Sequence, residues 1–276
     1  MADLHSETLH LHLLLLAALG GGVGSCIRVA IRDEVVARGY ASWRGTLFVN
    51  VVGCAIAIGC MGLAVGTSVW ALVVAGALGG FTTFSSFAIE MIASWMVRGT
   101  RSVHGRAWSA AAGAGALRSR RVPHYLRGLA AIFAGAIVGC GLRTWFDLAA
   151  VEHGFPPWQA TLTVNVLGST VAGVAFRLLH AVGPDGAPLR TPLHRLILER
   201  ATILGFAGGL TSMSALATDL VGAARSSAWL FALIACANLV LGLAGAALGW
   251  WIAARVARHR PPWETLLIPP RSRKHE

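Results

Sequence analysis

The chain has 276 residues, of which 55% are hydrophobic and 13% charged, with a mean hydropathy of +0.65. A water-soluble domain carries about a quarter charged residues, so this composition excludes a large soluble unit and indicates an all-α polytopic membrane protein. The net charge of +11 is nearly all arginine placed between apolar runs, where it reads as topogenic loops beside anionic lipid rather than a nucleic-acid surface.

Runs of about 20 apolar residues mark membrane-spanning helices, and they fall in chain order at 11–31, 46–66, 69–96, 128–147, 159–179, 201–223 and 228–254. The first run follows Asp3 and Glu7 with no basic cluster, a poor signal peptide and therefore a mature span. The apolar stretch 107–117 is too short to cross and is pressed by arginines on both sides. Trp43, Trp70, Trp95, Trp145, Trp158, Trp229 and Trp250 stand at run ends, as interfacial anchors do. Cys26, Cys54, Cys60, Cys140 and Cys236 lie within runs at no metal-ligand spacing and read as small buried hydrophobes.

The two halves repeat. Thr46-Leu47-Phe48-Val49-Asn50-Val51-Val52-Gly53 matches Thr161-Leu162-Thr163-Val164-Asn165-Val166-Leu167-Gly168, and Arg28 precedes Asn50 by the same 22 residues that separate Arg143 from Asn165. Gly79-Gly80-Phe81-Thr82-Thr83-Phe84-Ser85-Ser86-Phe87 returns as Gly208-Gly209-Leu210-Thr211-Ser212-Met213-Ser214-Ala215-Leu216, and Glu90 aligns with Asp219. Three spans separate equivalent segments, so the second half enters the membrane upside down. The expectation is two inverted-topology repeats of about three plus four transmembrane helices, with broken third helices.

With seven spans, the arginine-rich segments after the first, third, fifth and last runs share one side, which sets the C-terminus in the cytoplasm of a plasma-membrane protein. The expected organisation is a first repeat over 1–97, then an arginine-rich cytoplasmic linker with a degenerate fourth helix over 98–127. A second repeat over 128–260 and a basic tail over 261–276 follow.

The glycine–hydroxyl segments carry the functional signal. Backbone groups freed by a break at membrane depth find no partner in lipid, so irregular backbone there lines a cavity or an ion path. Four hydroxyl residues beside two glycines favour a break over simple back-bonding within a helix. Arg28 and Arg143 are expected near span ends, snorkelling or contacting facing carbonyls. Glu90 and Asp219 are intramembrane or vestibular carboxylates, functional by default or paired with a nearby arginine.

On the segments Gly21-Gly22-Val23-Gly24-Ser25-Cys26-Ile27-Arg28, Gly45 to Gly53 and Gly79 to Glu90, the chain resembles the Fluc family of fluoride channels, also called CrcB. Most members are single four-helix subunits that pair antiparallel, and this chain resembles a fused two-domain version, a pseudo-dimer in one polypeptide. The resemblance implies passive, selective export of fluoride. It also implies a structural sodium ion held by backbone carbonyls of Gly79, Thr82, Gly208 and Thr211. By motif position, Asn50, Asn165, Phe84 and Phe87 would line the path, with hydroxyls of Thr83, Ser85, Ser212 and Ser214. Asn238 stands where the family usually has a pore serine.

The second copy has Met213 and Leu216 in place of the two phenylalanines, and the first half lacks a recognisable fourth span. One conducting pathway and one vestigial pathway are therefore expected. Two other readings are a coupled secondary transporter, which usually needs a titratable relay, and a non-transporting assembly subunit. No Gly-x-Ser-x-Gly or His-Glu-x-x-His motif points to an enzyme.

Overall fold

The computed structural model describes residues 2–64, 66–99, 122–180 and 192–258. Among them, seven helical stretches are long and apolar enough to cross a membrane: Thr8–Ala37, Ser42–Cys60, Thr67–Ile92, Pro123–Glu152, Pro157–Leu179, Leu193–Ser226 and Ala228–Val256. Their order matches the seven predicted runs. The stretch 107–117 and the tail 261–276 lie outside the described residues.

In chain order the helices are α1 (Ala2–Ala37), α2 (Ser42–Cys60), α3 (Phe84–Gly99), α4 (Val122–Glu152), α5 (Pro157–Leu179), α6 (Met213–Ser226) and α7 (Ala228–Arg258). Gly39 and Gly154 follow α1 and α4 with φ of 84° and 71°, the left-handed backbone that closes a helix C-terminus and that only glycine adopts without cost. Pro157 opens α5, where its missing N–H has no helical partner to lose.

The third and sixth spans are discontinuous. After a short α-helical start, Thr67–Val69 or Pro192–Glu199, each enters a π-helical stretch, Trp70–Leu78 or Arg200–Ala207. Each continues through one turn, Gly79–Phe81 or Gly208–Leu210, and then becomes extended at Thr82 (φ −97°, ψ 157°) or Thr211 (φ −92°, ψ 148°). The helix resumes as α3 or α6. The glycine–hydroxyl segments thus mark the breaks, as expected, while the π-helical geometry has no signature in the apolar pattern.

Equivalent helices of the two halves meet at the centre, with Gly21 of α1 against Cys140 of α4 and Gly22 against the Phe133 ring. Each first helix also lies tight on its own π stretch. A Cβ added at Gly24 would come 2.9 Å from the Ala77 carbonyl carbon, and one at Gly139 would come 3.0 Å from that of Phe206. Gly24→Val and Gly139→Val are therefore expected to cut the yield of monodisperse protein in size-exclusion chromatography sharply, since backbone cannot yield to the new side chain. Gly59→Val, with open space around it, should leave that yield unchanged.

The last helix, α7, runs alongside α5 in parallel. A Cβ at Gly173 would lie 3.0 Å from the Ala246 carbonyl carbon, and one at Gly249 would lie 3.0 Å from that of Thr170. A buried cluster that includes Phe84, Ala88, Ala172, Phe176, Ile234 and Ala246 joins α3, α5 and α7. The corresponding face of α2, with Val51, Ala55, Ile58 and Gly59, is exposed, and no described helix stands there as α7 stands against α5. Other large apolar side chains such as Val138 and Val240 face outward, the surface that lipid requires. The cysteines are less uniform than expected: only Cys140 is buried and Cys236 is exposed, because α7 presents that turn outward, where a small thiol costs nothing.

Candidate functional site

The two breaks cross at the centre and exchange hydroxyl contacts in equivalent pairs. Thr82 Oγ1 donates to Ser214 Oγ at 3.0 Å, and Thr211 Oγ1 donates to Ser85 Oγ at 3.0 Å. The amide of Ser214 donates to Thr82 Oγ1 at 3.0 Å, and the amide of Ser85 to Thr211 Oγ1 at 3.1 Å. Thr82 and Ser212 lie 3.4 Å apart, Thr83 and Thr211 3.3 Å. Every member of this group is buried. Each unwound segment thus satisfies one of its freed amides on the other, which helps polar backbone to be tolerated at this depth.

The asparagines splint the breaks. Asn50 accepts from the Thr83 amide at 2.9 Å and donates to the Thr83 carbonyl at 3.0 Å. Asn165 accepts from the Ser212 amide at 2.9 Å and donates to Asn238 Oδ1 at 3.0 Å. The fully buried Asn238 donates in turn to the Ile234 carbonyl at 3.1 Å. One predicted group is thereby assembled: Asn165 and Asn238 stand together, while Asn50 stands on the other side of the centre, on α2.

These bonds redirect amides that would ordinarily close on carbonyls four residues earlier. The Thr83 and Ser212 amides go to asparagines, the Ser86 amide goes to Thr83 Oγ1, and the Ala215 amide goes to Ser212 Oγ. The carbonyls so relieved of their helical donors are those of Gly79, Gly208, Thr82 and Thr211. Carbonyl oxygens exposed at a helix break suit a hard cation.

Arg28 and Arg143 are not at span ends; each is only 2% exposed. Arg28 donates to the Gly80 carbonyl of its own repeat at 3.0 Å and to Leu204 of the other at 2.6 Å. Arg143 donates to Gly209 at 2.8 Å and also to the carbonyl of Ala75. The snorkelling alternative therefore fails and the carbonyl alternative holds. Each acceptor on the opposite repeat lies in a π stretch, whose irregular bonding gives up a carbonyl to an outside donor. The guanidiniums flank the centre: a Cβ at Gly79 would meet Arg143 Cζ at 2.7 Å, and one at Gly208 would meet Arg28 Cζ at 2.9 Å. Two buried positive groups thus face the crossing, and in a low-dielectric interior they favour an anion.

The aromatic pair belongs to one side. Phe84 is 1% exposed and lies 5.9 Å, centroid to centroid, from Phe87 at an interplanar angle of 67°, an edge-to-face pair. A Cβ on Gly242 of α7 would sit 2.8 Å from Phe84 Cζ. The phenylalanines of the first repeat therefore face α5 and α7 of the second, with Asn165 and Asn238. Met213 and Leu216 stand at the equivalent positions on α6, a helix that packs against α2, and Leu216 is buried in the cluster that also holds Phe84, with Met213 packed on it.

The carboxylates differ in their settings. Glu90 accepts from Thr46 Oγ1 at 3.1 Å and lies 3.8 Å from Arg32 Nε. Asp219 stands near Thr161 and Asp147, the latter at the position equivalent to Arg32, and its Oδ2 is buried without a hydrogen-bond partner. Arginine pairing thus accounts for Glu90 but not for Asp219. Arg32, Thr46 and Thr161 were missed as site neighbours, although the two threonines open the repeated asparagine motif.

The profile of the family described as CrcB-like protein, Camphor Resistance (CrcB), matches the chain twice, over residues 15–117 and 130–268. A protein named "Fluoride-specific ion channel FluC" from Xanthomonas euvesicatoria is 39% identical over 129 residues, 44% of this chain and 89% of its own length. Proteins of the same name from Pseudomonas putida and Methanopyrus kandleri are 33% and 36% identical. The alignments cover 47% of this chain in both cases, and 99% and 91% of those relatives. No solved structure matches. Each relative spans about one repeat, and this chain carries two matched stretches in tandem, interlocked through their breaks. The chain belongs to the CrcB-like family.

Proposed function

We propose that the protein is a passive, fluoride-selective channel that exports fluoride from the cytoplasm through a single pathway. The observation that carries this reading is the buried crossing of the two breaks, rich in hydroxyl and amide groups and flanked by two guanidiniums. Fluoride is small and strongly hydrated, so a pore must replace water with N–H and O–H donors and the positive edges of aromatic rings. The relatives' printed name supplies the choice of fluoride.

The pathway runs past Phe84 and Phe87 of the first repeat and Asn165 and Asn238 of the second, with Thr83, Ser85, Ser212 and Ser214 at its centre. The other side, with Asn50, Met213 and Leu216, is vestigial. The carbonyls of Gly79, Thr82, Gly208 and Thr211 hold a structural sodium ion, whose charge supports an anion beside it. The repeats occupy 1–97 and 128–260, the chain works as a fused pseudo-dimer, and the C-terminus faces the cytoplasm.

The test is efflux from liposomes containing the purified chain, read with a fluoride electrode. Rapid fluoride release that is indifferent to a pH gradient, with no chloride release, is expected. Release that needs a pH gradient would instead indicate a coupled transporter, and no release would indicate a non-conducting subunit.

A further inference from the structure

We propose that Ser169 is a further anion-binding residue of the Phe84 pathway, its hydroxyl donating to the ion one helical turn beyond Asn165. The inference rests on the channel reading above and extends it to a residue outside both repeated motifs.

Three observations converge on this position. Ser169 is 0% exposed, yet its Oγ has no hydrogen-bond partner. Buried hydroxyls in helices normally bond back to a carbonyl one turn earlier, as Thr170 does to Val166 at 2.9 Å. An unspent donor at full burial is costly and calls for a ligand.

Its place on the helix is equally specific. Residues four apart share a face of α5, so Ser169 follows Asn165 and precedes Ala172 and Phe176, which pack in the same cluster as Phe84 and Ala88 of α3. The hydroxyl therefore lies on the stripe of α5 turned toward the phenylalanine-bearing helix.

The parallel course of α5 and α7 sets its level. Asn165 meets Asn238, and the close contact of Gly245 with Val166 and Thr170 sets Ser169 level with Gly245, one turn of α7 beyond Gly242, on which the Phe84 ring lies. An ion leaving the asparagine pair in that direction, past the Phe84 ring on Gly242, reaches the hydroxyl proton one turn further on. The asparagines leave little to donate there: Asn165 Nδ2 is bonded to Asn238 and to the Ser212 carbonyl, and Asn238 Nδ2 keeps one free hydrogen beside the one held by Ile234. At the equivalent position of the first repeat stands Cys54, whose thiol is a weak donor. The difference matches the assignment of conduction to one side only.

The experiment measures fluoride efflux from liposomes for the unaltered chain, Ser169→Ala, Ser169→Thr and Cys54→Ala, with thermal unfolding in detergent for each. Ser169→Ala removes an unbonded polar atom, so its unfolding temperature should stay level or rise. Its fluoride flux should fall about tenfold or more, the effect of one hydrogen bond to an ion. Ser169→Thr, which keeps a hydroxyl, should retain more flux than Ser169→Ala, and Cys54→Ala should match the unaltered chain. Unchanged flux in Ser169→Ala, while the unaltered chain conducts, would overturn this assignment and leave the channel reading intact. No fluoride flux through the unaltered, folded chain would overturn both.

Discussion

Writing the second repeat's residues into the first, Phe84→Met and Phe87→Leu, is expected to abolish fluoride efflux to the level of empty liposomes. Phe84 is almost completely enclosed and its ring is set between Gly242 of α7 and the edge of Phe87. Methionine fills comparable volume, so the core around it survives. What it lacks is a positively polarised ring edge to stand in for water around a small anion. The volume-conserving changes Met213→Leu and Leu216→Met should leave efflux near the unaltered rate, because α6 faces α2 on the side where no described helix takes the place of α7. Comparable losses from both sets would refute the asymmetry.

The second large effect concerns stability. Each of Arg28 and Arg143 forks to one carbonyl in its own repeat and one in the other. Removing either guanidinium leaves two buried carbonyls without that donor, at a cost of about 1–3 kcal/mol for each. Arg28→Ala and Arg143→Ala should therefore lower the unfolding temperature in detergent strongly and by similar amounts. Lysine keeps the charge but is a point donor without the planar fork, so Arg28→Lys and Arg143→Lys should recover only part of the loss. Full recovery with lysine would mean that charge alone, and not the two-carbonyl geometry, matters there.

Much of this was legible in the sequence, for physical reasons that can be named. Lipid imposes long apolar runs, so all seven spans are found in order, although some ends, such as 201 against Leu193 and 66 against Cys60, fall more than a turn away. The duplicated asparagine and glycine–hydroxyl segments gave the repeat and the breaks, because glycine pairs and hydroxyl clusters are too costly in lipid to occur idly.

Depth and facing were not legible. Arg28 is expected near a span end, snorkelling or contacting facing carbonyls; its depth was not legible, and it meets carbonyls of Gly80 and, in the π stretch of the other repeat, Leu204. That Phe84 meets α5 and α7, rather than its own α2, depends on how the halves interlock, which no single-helix pattern encodes. Ser169 escaped notice because a lone serine beside a glycine in an apolar run usually bonds its own helix. Only the placement of its neighbours reveals that it does not.

The central claim is that two homologous halves cross the membrane in opposite senses so that their breaks share one centre. The turns after α1 and α4 occupy equivalent places in the two repeats, and Tyr40 and Phe155 are exposed there. In a cysteine-free background, Tyr40→Cys and Phe155→Cys can be labelled on intact cells with a membrane-impermeant maleimide. The account predicts that Phe155→Cys is labelled from outside and Tyr40→Cys only after the cells are opened. Labelling of both from the same side would contradict it.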